Sequence, residues 1–251
     1  MKIVRYKKEG EIKTGILEEN RIKSISGDIV GDYSINADYE KFDEVELITP
    51  CQPRKVVCVG LNYRDHAQEL DMELPTEPII FLKPASAVTG PNSAIKYPAM
   101  TEQVDYEAEL AVVIKDKIKD ITPAQAKDHI LGYTCFNDVT ARDLQNEDGQ
   151  WARAKSFDTF APLGPVIETD LEVDNLAVKL YKNGELKQDS TTRQMIFSVP
   201  EIVSFISQIM TLYPEDVIAT GTPPGVGEME AGDQVEVVIE EIGSLKNKLE
   251  V

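Results

Sequence analysis

Two acids one residue apart, Glu107 and Glu109, stand in the stretch "QVDYEAELAVVIKD", with Asp105 two residues ahead of them. In a strand, alternate residues share a face, so all three carboxylates point the same way. Past them both faces turn apolar at Ala111–Ile114, as in a strand entering a core. Neighbouring carboxylates repel unless a cation lies between them, and burying them unpaired is costly. A row of alternating acids is also the ordinary pattern of a solvated strand face, the commoner fate of such a stretch taken alone. Asp138, in "FNDVTARD" at the end of another apolar run, shifts the balance. By itself it reads as a turn or cap residue. Three carboxylates from two strands, however, make a hard oxygen site suited to Mg²⁺ or Mn²⁺, with positions left for water or substrate. Zinc is disfavoured, because no His lies near these acids in sequence and the nearby Cys135 lacks metal-site spacing. Asp105 reads as a solvated acid at the strand's entrance.

His66 and Glu69, in "NYRDHAQEL", are three residues apart and meet on one helical face. A carboxylate beside a histidine raises its basicity and fixes its tautomer, as a general base requires. An ordinary surface segment capped by Asn62 or Asp65 fits the same residues. The other histidine, His129, ends the stretch "AQAKDHI" and reads as a structural partner of a helix terminus. Three cations complete the set: Lys83 in "FLKPAS", Arg142 in "TARDLQ" and Lys155 in "WARAKSFDTFAPLGP". Isolated lysines are usually solvated. One set among aromatic and proline residues, as Lys155 is, reads equally as a buried charge partner. In "TGTPPGVG", Thr222 and the glycine amides form either a nest for a carboxylate or simply a tight turn.

The elements that must position these groups alternate irregularly. The first ~50 residues read as short strands, "KIVRYK", "KTGILE" and "RIKSIS", with a boundary at "TPCQPRK". "KVVCVG" and "IIFLKP" are strands around a loop, a short helix and another loop from Asn62 to Pro78, a charged, Pro-containing segment suited to a lid. Thr122 and Pro123 open a helix in "TPAQAKDHI". Asn183–Gly184 signals a hairpin in "AVKLYKNGELKQDS". Ile202, Phe205, Ile206 and Ile209 fall at helical spacing after Pro200. The closing "DQVEVVIEEIGSLKNKLEV" is a strand pair. Strands outnumber helices without a βαβ rhythm, so the fold class is mixed, mainly β with a few helices. The glycine-rich loop lacks both the P-loop and the dinucleotide pattern.

Bulk properties narrow the function classes. The chain has 251 residues and a formal net charge of −18. A surface this acidic repels phosphate backbones and anionic lipid, so neither nucleic acid nor membrane is an expected partner. Cys51, Cys58 and Cys135 lack metal-site spacing and read as reduced thiols of a cytoplasmic protein. The charged N-terminus has no apolar signal core, and no run reaches the length of a membrane span.

Taken together, "VGLNYRDHAQE", "FLKP", "DYEAELAVVI", "GYTCFNDVTARDLQ", "AKSFDTFAPLGP", "MIFSVPEIVSFIS" and "ATGTPPGVG", in this order, resemble the fumarylacetoacetate hydrolase family. The likeness is to its short members of the acylpyruvase, oxaloacetate decarboxylase and 2-hydroxyhepta-2,4-diene-1,7-dioate isomerase type, over about Lys55 to Val251. The resemblance implies a β-sandwich roll (51–251) behind a small N-terminal β domain (1–50), usually in a homodimer. It implies a Mg²⁺ or Mn²⁺ site, with Glu107, Glu109 and Asp138 as ligands and Asp105 outside the triad. It places the family's catalytic His–Glu dyad on His66 and Glu69 and its active-site lysine on Lys155. The substrate-binding positions fall on Gln145, Arg142, Thr222 and Lys83. The implied activity is metal-dependent chemistry on a 2-oxo acid through an enolate, foremost C–C hydrolysis of an acylpyruvate. Decarboxylation of oxaloacetate, isomerisation of the dienedioate and silent binding of a metal or small acid are the alternatives. Relative to the acylpyruvase-type members, the segment Asn146–Gln150 is short.

Overall fold

The computed structural model describes residues 1–251 and is mainly β. The N-terminal strands β1 (Lys2–Lys8), β2 (Glu11–Glu18), β3 (Arg21–Gly27), β4 (Tyr33–Lys41) and β5 (Glu46–Ile48) form a meander, with β5 returning to β1. The pattern of the sequence does not mark β4, where polar and apolar residues mix and most side chains are exposed. Next come β6 (Lys55–Gly60), α1 (Arg64–Glu69), β7 (Ile79–Pro84), β8 (Val88–Thr89) and β9 (Ala94–Lys96). The centre of the chain holds β10 (Val104–Tyr106), β11 (Ala108–Ile114), β12 (Ile130–Asn137) and β13 (Thr140–Ala141), followed by α2 (Arg142–Asp148) and α3 (Ala152–Lys155). The remainder is β14 (Ala161–Glu168), the hairpin β15 (Ala177–Lys182) and β16 (Glu185–Thr191), α4 (Val199–Ile209), β17 (Val217–Ala219), β18 (Gly227–Met229), and the closing hairpin β19 (Gln234–Ile239) and β20 (Gly243–Glu250).

The largest sheet runs in the order β4-β3-β2-β1-β14-β12-β11-β17-β6-β7. The N-terminal meander joins it where β1 pairs with β14 (Lys2↔Glu168, Ile3↔Ile167), and Ile3 packs beside Val56, Val113 and Phe136. Every residue of β11 is buried, because the strand lies between β12 and β17 and its Ala111–Ile114 run faces core on both sides. A smaller sheet, β16-β15-β19-β20-β9, packs Val178, Leu180, Val235 and Val237 into the same core. Asn183 and Gly184 both have positive φ (53° and 82°) in the tight turn joining β15 to β16.

Some local expectations change. Pro123–His129 is a 3₁₀ turn, entered where Gln125 Oε1 accepts from the Thr122 amide (2.9 Å) and hydroxyl (2.8 Å). Helix α4 is closed at its start by Glu201, which accepts from the Ser198 amide (2.8 Å) and hydroxyl (2.6 Å). Its buried stripe is Val199, Ile202, Val203 and Ile206, whereas Ile209 is half exposed at the helix end. Neither Asn62 nor Asp65 caps α1. The buried Asn62 amide instead donates to Thr220 O (2.7 Å) and Phe197 O (3.2 Å) and accepts from Phe197 N (2.9 Å). That anchors the start of the segment expected to be a lid, and its run of exposed residues begins only at Gln68. The three cysteines are free and buried, and no helix is long and apolar enough to cross a membrane.

Candidate active site

The strand read as one continuous element from Gln103 is broken at Glu107. Residues Val104–Tyr106 pair with β13 and β18 in a three-stranded sheet, and Ala108–Ile114 pair with β12 and β17 in the large one. At the crossing, Glu107 N donates to Asn137 Oδ1 (2.9 Å) and Glu107 O accepts from Asp138 N (2.9 Å). Pairing of Ala108 with Asn137 and of Glu109 with Phe136 leaves Asp138 one step past the paired region, beside both glutamates. Glu107, Glu109 and Asp138 are all buried, and one carboxylate oxygen from each lies within 4.8 Å of the others.

Three buried or part-buried cations serve this acid cluster. Lys155 donates to Glu107 Oε2 (3.0 Å) and Asp138 Oδ2 (2.7 Å). Although burial works against its charge, Asp138 and Glu107 push its ammonium up to about 12. Arg142 donates from Nε to Asp105 Oδ2 (2.8 Å), from one terminal nitrogen to Glu107 Oε1 and from the other to Gln145 Oε1. Burial opposes the ionised form of Glu107, but Lys155 and Arg142 outweigh it and hold the group down to about 2. Lys83 is fully buried against Asp138 Oδ1 and donates to the Val139 and Phe160 carbonyls.

That arrangement corrects two expectations. Lys83 was placed among the substrate-binding residues. Its ammonium is instead consumed below the site by Asp138 and two carbonyls, and it does not line the cavity. Asp105 is not a solvated acid: it is 3% exposed and locked to Arg142 and to Gln103 Nε2 (3.0 Å).

Glu109 is the one acid of the cluster without a bonded cation. Its Oε2 accepts from Gly221 N (2.8 Å), but burial first, then Asp138 and Glu107, push its carboxyl well above the usual range. A divalent cation fits this donor set. It would meet three converging carboxylates and supply the positive charge that Glu109 lacks.

The glycine-rich loop after β17 is also redirected. The sequence offered its amides as a nest for a substrate carboxylate, but two of them serve the protein's own acids. Gly221 N holds Glu109, and Gly225 N donates to Glu69 Oε1 (3.0 Å). Both glycines have positive φ (98° and 93°), and a Cβ would lie 2.7 Å from Asn62 Cβ at Gly221 and 2.2 Å from Lys187 O at Gly225. The Thr222 hydroxyl donates to Ala108 O (2.9 Å) and accepts from Gln188 Nε2 (2.9 Å), so a bound carboxylate would need another donor. Gln188 also accepts from Ala108 N (2.9 Å), tying the hairpin β15–β16 to the strand that carries the acids. Nothing in the local pattern around Gln188, Asn137 or Asp105 singles them out. Their importance comes from contacts 30 to 80 residues away.

His66 and Glu69 meet on α1 as their spacing predicts, with His66 Nδ1 2.8 Å from Glu69 Oε2. A cavity of about 680 Å³ brings this pair together with the three acids, Arg142, Gln145, Lys155 and Thr222. All the expected site residues except Lys83 therefore line one space.

The chain belongs to the fumarylacetoacetate hydrolase family. Residues 55–250 match the family described as fumarylacetoacetate (FAA) hydrolase C-terminal, and residues 1–50 match the one described as Rv2993c-like, N-terminal. The chain is 46% identical over 219 residues to the mitochondrial oxaloacetate tautomerase FAHD2B of Bos taurus, covering 82% of this chain and 70% of that protein. The crystal structure of 2-hydroxyhepta-2,4-diene-1,7-dioate isomerase from Mycobacterium marinum is similar at a TM-score of 0.93 and 42% identity, covering 100% of this chain and 98% of the other. Maleylpyruvate hydrolase from Sphingobium sp. SYK-6, solved with manganese(II) and pyruvate, is similar at a TM-score of 0.84 and 28% identity, covering 100% and 99%.

Proposed function

We propose that the protein is a Mg²⁺- or Mn²⁺-dependent enzyme that hydrolyses the C3–C4 bond of an acylpyruvate-type 2-oxo acid. The observation that carries this reading is the His66–Glu69 pair opening on the same cavity as the acid triad. When bound by Glu107, Glu109 and Asp138, the ion supplies Lewis-acid polarisation of the substrate's 2-oxo group and carboxylate.

The protein's own groups do the rest. Glu69, itself held by Gly225 N, accepts the Nδ1 proton of His66 and leaves Nε2 free to take a proton from water. The hydroxide adds to the C4 carbonyl, and collapse of the adduct breaks the C3–C4 bond. The electron pair passes to C3, and the proton held at His66 returns there, giving pyruvate and a carboxylic acid. Lys155 remains an ammonium and acts as a donor and counter-charge, not as a base. Arg142 takes the Gln145 carbonyl oxygen, which leaves the Gln145 amide nitrogen to donate into the cavity.

A second reading, proton transfer to or from a carbon of a 2-oxo acid's enolate without water attack, is favoured by relatives named oxaloacetate tautomerase and dienedioate isomerase. Loss of CO₂ from oxaloacetate would use the same enolate. Incubation with Mg²⁺ or Mn²⁺ and a panel of acylpyruvates, oxaloacetate and 2-hydroxyhepta-2,4-diene-1,7-dioate separates these outcomes. Turnover of oxaloacetate or the dienedioate but of no acylpyruvate would overturn hydrolysis. Tight oxalate binding without any turnover would leave a silent binding protein. A cytoplasmic homodimer belongs to the same proposal. Sedimentation at a monomer's mass would refute the assembly, and the three free buried thiols accord with a reducing compartment.

A further inference from the structure

Beside the acid triad the cavity has a second, apolar part. Strands β6 and β7 pair so that Gly60 faces Ile79 and Cys58 faces Phe81. Ile79 and Phe81 are two residues apart and share one face of β7. Trp151 packs on that face, with its ring centroid 5.1 Å from that of Phe81 at an interplanar angle of 76°. The fit is close: a Cβ on Gly60 would lie 2.9 Å from Trp151 Cζ3. Trp151 also stands four residues before Lys155, and Lys155 N donates to Trp151 O (3.0 Å), so one helical face carries both side chains. Phe81 lies between them, with Lys155 Nζ 5.0 Å from its ring centroid. The wall therefore begins one side chain away from the reacting end.

No cation is left over for this wall. The lysine and arginine side chains lining the cavity are Lys155 and Arg142, and both are held by Asp105, Glu107 and Asp138. Leu70 and Met72, from the exposed segment after α1, line the same cavity, and the α1 acid that lines it is Glu69. A second carboxylate reaching the wall would lose water against Ile79, Phe81 and Trp151 without gaining a cationic partner. An alkyl or aryl group there would gain from the same burial.

Resting on the 2-oxo acid reading above, we infer that the wall formed by Gly60, Ile79, Phe81 and Trp151 selects substrates whose group beyond C4 is uncharged and apolar. A terminal second carboxylate is disfavoured. Related chemistry on dicarboxylic acids would need a cation that this wall does not hold.

Non-reacting probes test the inference apart from turnover. Oxalate, N-butyl oxamate and N-(3-carboxypropyl) oxamate are titrated into the Mn²⁺-loaded protein by calorimetry, and the two oxamates are expressed relative to oxalate. N-butyl oxamate is expected to bind at least about tenfold more tightly than the carboxypropyl compound. Ile79 is 45% exposed, so Ile79→Arg can be made with little cost to folding, and it is expected to shrink that ratio by about tenfold. Trp151→Ala should reduce the ratio by lowering N-butyl oxamate affinity. Equal binding of the two oxamates, or an unchanged ratio in Ile79→Arg, would overturn the inference while oxalate binding leaves the functional reading standing. Failure of oxalate itself to bind would overturn both.

Discussion

Glu109→Gln gives the sharpest test of the metal site, because its effects on the metal-free and metal-bound protein have opposite signs. In the metal-free protein the Glu109 carboxyl is held well above its usual range, first by burial and then by Asp138 and Glu107. Below pH ~4.5 the folded and unfolded chains both hold this proton, and Glu109 has no effect. As pH rises, the unfolded chain releases the proton while the folded one keeps it. Stability therefore falls by about 1.4 kcal/mol per pH unit until the folded group titrates. For a chain of this length that is roughly 3–5 °C in Tm per pH unit. Glu107 does not interfere: it is lowered to about 2, so its contribution is lost only as pH falls below the ordinary glutamate range. Glutamine keeps the shape and can still accept from Gly221, but it has no proton to lose. Metal-free Glu109→Gln should therefore lack this downward slope as pH rises above the ordinary glutamate range, measured by scanning calorimetry in chelator. Conversely, Mn²⁺ at 100 times its dissociation constant should stabilise the parent by about 2.7 kcal/mol, and that gain should largely vanish in the variant. A parent-like Tm–pH slope in metal-free Glu109→Gln would refute the uncompensated acid. A parent-like response of the variant to Mn²⁺ would refute the ligand assignment.

Other expectations follow from neighbouring residues. Glu107→Ala should lose measurable Mn²⁺ binding in calorimetry and all turnover, and parent-like Mn²⁺ affinity would contradict the site. His66→Ala should abolish acylpyruvate hydrolysis while sparing decarboxylation of oxaloacetate; equal loss of both would make His66 a substrate-positioning group. Asp105→Asn removes the partner that fixes the Arg142 guanidinium, and a cost of about 1–3 kcal/mol in urea unfolding is expected. Unchanged stability there would show that Arg142 is held by Glu107 and Gln145 alone. Residues 68–78 should gain hydrogen-exchange protection on adding Mg²⁺ and oxalate, with Asn62 and Tyr63 already protected; no gain would count against a lid.

Asp138 alone read as a turn or cap residue and gained a further role only beside the acids of another strand. The alternation of Glu107 and Glu109 and the His66–Glu69 spacing were readable before any fold was known, because the members of each pair lie within one strand or one helical turn of each other. The failures share the opposite property. Asp105 looked solvated because alternating acids usually are; it is buried because Arg142, 37 residues later, supplies its partner. Lys83 read as an ordinary isolated lysine, and Lys155, among aromatic and proline residues, read equally as solvated or as a buried charge partner. Only the tertiary fold separates the one sealed under Asp138 from the one facing the cavity. Strand β4 was missed because, as an exposed edge strand, it has no buried face to impose a period.

The glycine loop shows why motif and role can part. Its glycines are required, as a nest predicts, since positive φ and close backbone approach exclude side chains at Gly221 and Gly225. But the amides they expose point at Glu109 and Glu69, one acid of the triad and one of the dyad. A single loop therefore sets the position of a candidate metal ligand and of the carboxylate that orients the candidate base. Substitution at Gly225 should accordingly disturb His66 through Glu69, and substitution at Gly221 should disturb metal binding through Glu109. Gly225→Ala is expected to lower hydrolysis while Mn²⁺ affinity in calorimetry stays near the parent's, and Gly221→Ala to weaken Mn²⁺ binding itself. If both variants lost metal and activity in the same proportion, the loop would be acting only through the stability of the fold.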